Sequence, residues 1–196
     1  MSKTANRPTE KMSDKSFKMM SFFFKIIDTL FPHVQRRIRK FDIKQGMTIV
    51  DYGCGPGRYT IPFADKVGRE GKVFAVDIHE IALDQVRVRA DRRGLNNVYT
   101  IPAKGNDDGY YACDIPEKSV DMVFAIDMFF IIKRPTDFLI EVARMLRNDG
   151  VLIIDDGHQS RKETKRKIEE SKVFEIVQET KDHLNCRANK AIKDSE

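Results

Sequence analysis

The sequence predicts an α/β fold: a doubly wound, Rossmann-like sheet of seven strands, mostly parallel, ending in a C-terminal antiparallel hairpin. Three observations carry this expectation. Apolar, β-rich runs alternate with helical periodicity from Met47 to Ser171. Val120 to Ile126 is apolar but for Asp121, with five apolar residues in a row from Met122, the pattern of a strand buried on both faces. The first strand runs directly into Gly53-Cys54-Gly55-Pro56-Gly57, after which a helix begins.

Residues 1–14 are polar and charged and read as a flexible tail. Over Lys15 to Phe31, Phe17, Met20, Phe24, Ile27 and Phe31 recur at steps of three and four, one helical stripe. Met19, Phe22, Phe23, Ile26 and Leu30 widen it until little polar face remains. A helix this apolar has to be covered, so it completes the core, roofs a pocket or mediates dimerisation. Pro32 interrupts it, and Val34, Ile38 and Phe41 predict a second, shorter helix, so 15–45 form an N-terminal helical extension.

Residues 46–196 read as one domain. The expected strands are Met47–Tyr52, Val73–Asp77, Asn97–Ile101, Val120–Ile126 and Val151–Asp155. Helices fall between them at Tyr59–Val67, at Glu80–Arg93 with Gly94 as its terminator, and from Pro135 to Leu146. A turn at Asn148-Asp149-Gly150 precedes the fifth strand, and a helix at Ser160–Ser171 follows it. Val173–Glu179 and His183–Ala191 then form a hairpin around Thr180-Lys181-Asp182.

A chain of 196 residues, 41% apolar and 33% charged, suits a soluble globular domain rather than a disordered or membrane-spanning one. No apolar run nears the roughly 20 residues a bilayer needs, and the polar N-terminus has no signal-peptide centre. Three cysteines (Cys54, Cys113, Cys186) are too scattered for a disulfide framework or a zinc site. The expectation is a cytoplasmic monomer or homodimer without a membrane partner. The net charge of +5 is compatible with nucleic acid but does not favour it. Its clusters, at Arg36–Lys40, Arg87–Arg93 and Arg161–Lys167, fall on expected helices, where solvated charged faces account for them.

Ligands of doubly wound sheets bind beyond the carboxyl ends of the strands. Gly53, Gly55 and Gly57 remove side chains where the chain turns tightly and a ligand nears the backbone, and the next helix presents its N-terminus there. The spacing G-x-G-x-G differs from the G-x-G-x-x-G of dinucleotide binders. Asp51, two residues before the first glycine, can accept hydrogen bonds from a ligand ammonium. Asp77, ending the second strand, is placed to hold ribose hydroxyls. A ligand with an amino-acid end, a ribose and a base satisfies both.

Val50 to Thr60, with Asp77 after Val73-Phe74-Ala75-Val76, resembles motif I and its successor in the class I S-adenosylmethionine-dependent methyltransferases. The resemblance extends to Lys44–Thr48, Ser119–Val123 and Glu141–Gly150, and covers residues 43–191. It is closest to small members with a short N-terminal helical extension and no inserted lid. It implies S-adenosylmethionine as cofactor, held around Asp51, Tyr52, Gly53, Cys54, Gly55, Gly57 and Tyr59, by Asp77 and Ile78, and by Ile126 and Asp127. Where relatives place an acidic adenine contact this chain has Lys104-Gly105-Asn106, so Lys104, Gly105 and Asn106 are the candidates there.

Methyl transfer from a sulfonium depends largely on alignment, and a base is needed only when the acceptor must lose a proton. Asp127 is the candidate catalytic residue, to orient or deprotonate the acceptor. Asp155, Asp156 and His158 would complete an acidic set with Asp127, yet strand-end carboxylates are ordinary in this fold, and no metal is expected. The expected function is methylation of a small-molecule acceptor. RNA or protein methylation and non-catalytic S-adenosylmethionine binding stay open as alternatives, and a nicotinamide oxidoreductase is disfavoured by the glycine spacing and the terminal hairpin.

Overall fold

The structure is a computed structural model that describes residues 33–104 and 111–189, with Ser13, Lys15, Ser16 and Met19. The expected tail and nearly all of the apolar helix at 15–31 lie outside the described residues. The shorter helix is α1 (His33–Ile38). Then follow β1 (Thr48–Tyr52), α2 (Thr60–Val67), β2 (Lys72–Asp77), α3 (Glu80–Arg93), β3 (Val98–Pro102) and β4 (Val120–Ala125). A 3-10 turn (Phe129–Ile131) leads to α4 (Pro135–Met145), β5 (Leu146–Ile154), α5 (Arg161–Ser171), β6 (Phe174–Glu179) and β7 (Leu184–Ala188).

The seven strands are ordered β3-β2-β1-β4-β5-β7-β6, parallel except for β7, which runs antiparallel to both β5 and β6. The order reverses between β1 and β4, so the loops leaving these two strands flank the crevice where such sheets bind ligands. Strand alternation assigns the side chains. Ile49, Met122, Phe124 and Ile153 face α1 and α2, whereas Val50, Tyr52, Val123, Ala125, Leu152 and Ile154 face α4 and α5. Both faces are covered, as the apolar run of β4 from Met122 onward requires.

α1 completes the core on the first face. Val34, Ile38 and Phe41 are buried, and the Phe41 ring lies 4.9 Å from Phe124 and 5.1 Å from His183. Phe63 stacks on Phe124 at 4.3 Å below it. One boundary differs from expectation. Residues Asn148-Asp149-Gly150 do not precede β5 but interrupt it, because Val120 pairs with Leu146 while Met122 pairs with Val151. The turn forms as an outward bulge, with residues 147–149 exposed and strand pairing resumed on either side.

Candidate functional site

The glycine loop is tied down from within. The N–H groups of Gly53 and Cys54 both donate to the Val76 carbonyl, at 2.8 and 3.0 Å, and Gly57 N–H donates to Cys54 at 3.0 Å. Gly55 N–H donates to Asp77 Oδ2 at 2.8 Å. These four donors are engaged inside the protein, so the loop is a rigid wall rather than a nest of free N–H groups. All three glycines have positive φ. A Cβ at Gly53 would come within 2.9 Å of Met128, whereas one at Gly55 would meet nothing within 4 Å. Gly53 is therefore small to let the loop after β4 pack on it, and Gly55 keeps an open approach to the backbone.

Asp51 shares the face of Ile49 and points toward α2, where its Oδ2 accepts from Thr60 Oγ1 at 2.5 Å. It is 3% exposed. Burial pushes its carboxyl up to about 7, opposed by the Thr60 hydroxyl and reinforced by the Asp77 charge. A buried carboxylate in this condition favours an incoming cation. Asp77 accepts from Gly55 N–H through Oδ2 and from both the N–H and the Nδ1 of His79 through Oδ1, at 2.9 and 2.8 Å. Three of a carboxylate's roughly four acceptor positions are thus occupied, leaving room for one hydroxyl unless His79 turns away.

Across the crevice, α1 inserts Arg37. Its Nη2 donates to Asp155 Oδ2 at 2.8 Å and to the Asp182 carbonyl at 3.0 Å, and its Nη1 donates to the Tyr59 hydroxyl at 3.2 Å. Asp155 Oδ1 accepts from the N–H of Asp127 at 2.8 Å. One guanidinium thereby fixes the loops after β1, β4 and β5 and the β6–β7 turn. Burial and the Asp127 charge raise the Asp155 carboxyl, and Arg37 opposes them. Asp127 takes a left-handed backbone, φ 56°, and its carboxylate is exposed on a cleft of about 510 Å³.

Of the candidate residues, Tyr59 and Asp127 line this cleft, while Asp51, Gly53, Cys54, Gly55, Gly57 and Asp77 sit at the β1 and β2 ends and in the loop between β1 and α2, tied by the hydrogen bonds above. Ile78 is half-buried and follows the β2 end, and Ile126 is buried among the residues packed with α1 and α2. Strand alternation sends the Tyr52 side chain to the opposite face, where its hydroxyl donates to the Tyr111 carbonyl at 2.6 Å and its ring meets Phe138 edge-on, so only its backbone borders the glycine loop. The Cys54 side chain packs with Ala75, Leu83 and Val86, and burial holds its thiol well above the ordinary range, so only its backbone faces the loop. Lys104 is exposed beyond β3, while Gly105 and Asn106 lie outside the described residues.

The carboxylates considered with Asp127 are held by arginines. Asp155 pairs with Arg37, and Asp156 accepts from Arg161 Nε at 2.8 and 2.9 Å. His158 stands apart, edge-on to Phe130. Among the described residues no group of three or more potential ligands could hold a metal. Arg37, assigned by its cluster to a solvated helix face, is instead 19% exposed in its side chain and central to the site. The signal for it was the interval from Val34 to Ile38 and Phe41, which leaves Arg37 at the edge of the buried stripe. The partner carboxylate, 118 residues away, gave no local signal. No helix among the described residues is long and apolar enough to cross a membrane.

Known proteins resemble this chain in sequence and in fold. The chain is 31% identical over 106 residues to aklanonic acid methyltransferase DauC of Streptomyces sp. (strain C5), covering 52% of this chain and 48% of that protein. It is 30% identical over 119 residues to nocamycin O-methyltransferase of Saccharothrix syringae, covering 61% and 41%. The match spans less than half the length of either relative. A crystal structure of a SAM dependent methyltransferase from Aquifex aeolicus superposes with a TM-score of 0.73 at 20% identity, covering 91% of this chain and all of that one. This last likeness concerns the fold. The family model described as "Methyltransferase domain" matches residues 43–193, nearly the whole of the described fold, and the chain therefore belongs to the methyltransferase domain family.

Proposed function

We propose that the protein is an S-adenosylmethionine-dependent methyltransferase acting on a small-molecule acceptor. The observation that carries the reading is the latch between Gly55 and Asp77: one carboxylate shapes the open glycine wall and keeps an acceptor position for a hydroxyl. The residues fit the cofactor. Asp51 offers a buried carboxylate to an ammonium, Gly55 leaves the backbone open, and Asp77 can take one ribose hydroxyl. Lys104 and Ile78 stand at the ends of β3 and β2, where a base would lie.

When bound, S-adenosylmethionine supplies a methyl group whose C–S bond breaks with its electron pair left on sulfur, as the acceptor's lone pair forms the new bond. The chain's own residues align the partners. Asp155 and Arg37 hold the backbone of Asp127 in its left-handed turn, and Asp127 presents a carboxylate to the cleft that can orient an acceptor hydroxyl or amine and receive its proton. The names of the two curated relatives, both methyltransferases of small molecules, support the acceptor class.

Calorimetric titration of wild type and Asp77→Ala with S-adenosylmethionine and S-adenosylhomocysteine tests the reading. Saturable binding weakened by the substitution is expected. Absence of binding by folded protein, or preference for a dinucleotide, overturns it.

A further inference from the structure

The cleft beside the glycine wall is unusually charged for a small-molecule pocket. Arg36, Arg37, Lys40 and Arg58 line it, facing Asp127, Asp155, Asp156 and Asp182. The carboxylates are not all available to these cations. Asp156 is held by Arg161, which is not part of the wall. Asp155 is bonded to Arg37, and Asp182 to Lys40. Four wall cations therefore face three remaining carboxylates, two of them already paired.

Two donors are left over. Arg36 is exposed on the wall and makes no ion pair or hydrogen bond among the described residues. Arg37 Nε–H is buried with no acceptor among the described residues, so part of its charge stays uncompensated beside the cleft. The Arg37 and Arg58 guanidinium carbons both lie near the Tyr59 ring, 5.9 and 6.0 Å from its centroid, so cationic groups converge on one ring. The one exposed carboxylate without a partner among the described residues of this wall is Asp127.

Resting on the methyltransferase reading, we infer that the cleft takes an acceptor bearing an anionic oxygen group, a carboxylate or a phosphate monoester. Arg36, exposed on the wall, holds that group with the Arg37 charge behind it, and the nucleophilic hydroxyl or amine turns to Asp127. The acceptor's lone pair forms the bond to the methyl carbon, the C–S pair stays on sulfur, and the acceptor's proton passes to Asp127. The cleft volume of about 510 Å³ is in the range of small-ligand pockets. Tyr59, the one aromatic among the described lining residues, is 8% exposed and offers little face for a base to stack on, so a small acid fits better than RNA.

The test begins with S-adenosylhomocysteine, titrated calorimetrically into the full chain, since the protein has no tryptophan to report binding. The loaded protein is then titrated with 4-hydroxybenzoate, phenyl phosphate, neutral 4-hydroxybenzamide and a short single-stranded RNA. Both small anions should bind at least about tenfold more tightly than the amide. Arg36→Gln should remove about tenfold of that affinity with S-adenosylhomocysteine binding unchanged. The stronger of the two anions identifies the anionic group. Equal affinity for benzoate and benzamide, no anion binding by loaded protein, an unaltered Arg36→Gln variant, or tighter binding of RNA would each overturn the inference. Failure to bind S-adenosylhomocysteine would overturn the methyltransferase reading itself and this inference with it.

Discussion

Arg37 and Asp155 lie 118 residues apart in sequence and meet at 2.8 Å, with side chains 19% and 5% exposed. Through this pair the extension before the sheet holds the loops that form the cleft, because Asp155 also accepts from Asp127 N–H. Removing either partner leaves a different remnant. Arg37→Met strands a nearly buried carboxylate, at a cost of about 3 kcal/mol. Asp155→Asn leaves Arg37 with the Asp182 carbonyl and the Tyr59 hydroxyl as acceptors, and keeps an oxygen for Asp127. Urea denaturation should therefore rank Arg37→Met as clearly the more destabilising. The reverse order would show that the guanidinium is not what neutralises Asp155.

Asp51 makes stability depend on pH. Its folded carboxyl titrates at about 7, against 3.8 for the free group, so the folded state binds the proton more tightly than the unfolded state. Its contribution is fully present below about pH 4 and is lost as pH rises through 7. The integrated effect is roughly 4 kcal/mol. The difference in unfolding free energy between wild type and Asp51→Asn should fall across that window and level off above it. A constant difference would place the Asp51 carboxyl at its ordinary value.

The same protonation governs the proposed ligand. An ammonium binds the carboxylate and not the acid, so S-adenosylhomocysteine affinity in wild type should rise with pH through about 7. In Asp51→Asn that rise should be absent. Calorimetry between pH 6 and 8 reads both.

Gly53 and Gly55 should respond differently to alanine. Both have positive φ, so each variant carries about 1–2 kcal/mol of backbone strain. At Gly53 the methyl also meets Met128 at 2.9 Å, so Gly53→Ala should be the less stable and should shift the loop that carries Asp127. At Gly55 the methyl enters open space, so Gly55→Ala should fold nearly normally yet bind S-adenosylhomocysteine about tenfold or more weakly. Melting temperatures and titrations of the two variants separate the effects.

Tyr52 gives the complementary control. Its hydroxyl bond to Tyr111 is buried on the α4 face, so Tyr52→Phe should cost about 1–2 kcal/mol of stability. S-adenosylhomocysteine affinity should not change. A loss of affinity at intact stability would show that the Tyr52 hydroxyl acts on the site.

The amino-acid sequence by itself determined the alternation of strands and helices, the terminal hairpin, the glycine loop and the two aspartates beside it. These rest on local rules: strand and helix periodicity, glycine at positive φ, and residues at strand ends. Even there, the turn at Asn148-Asp149-Gly150 could not be read as an interruption within β5, since that depends on Val120 and Met122 of the neighbouring strand. The tertiary structure decided the rest. The Tyr52 side chain turns away from the crevice because alternation in β1 sets it on the face opposite Asp51, and which face meets α4 is known only once the sheet is assembled. Arg37 entered it because α1 docks over the ends of β1, β4 and β5, joining carboxylate, phenol and carbonyl from elements distant in sequence. Local propensity specifies elements, but a buried ion pair exists only where packing excludes water from two groups at once.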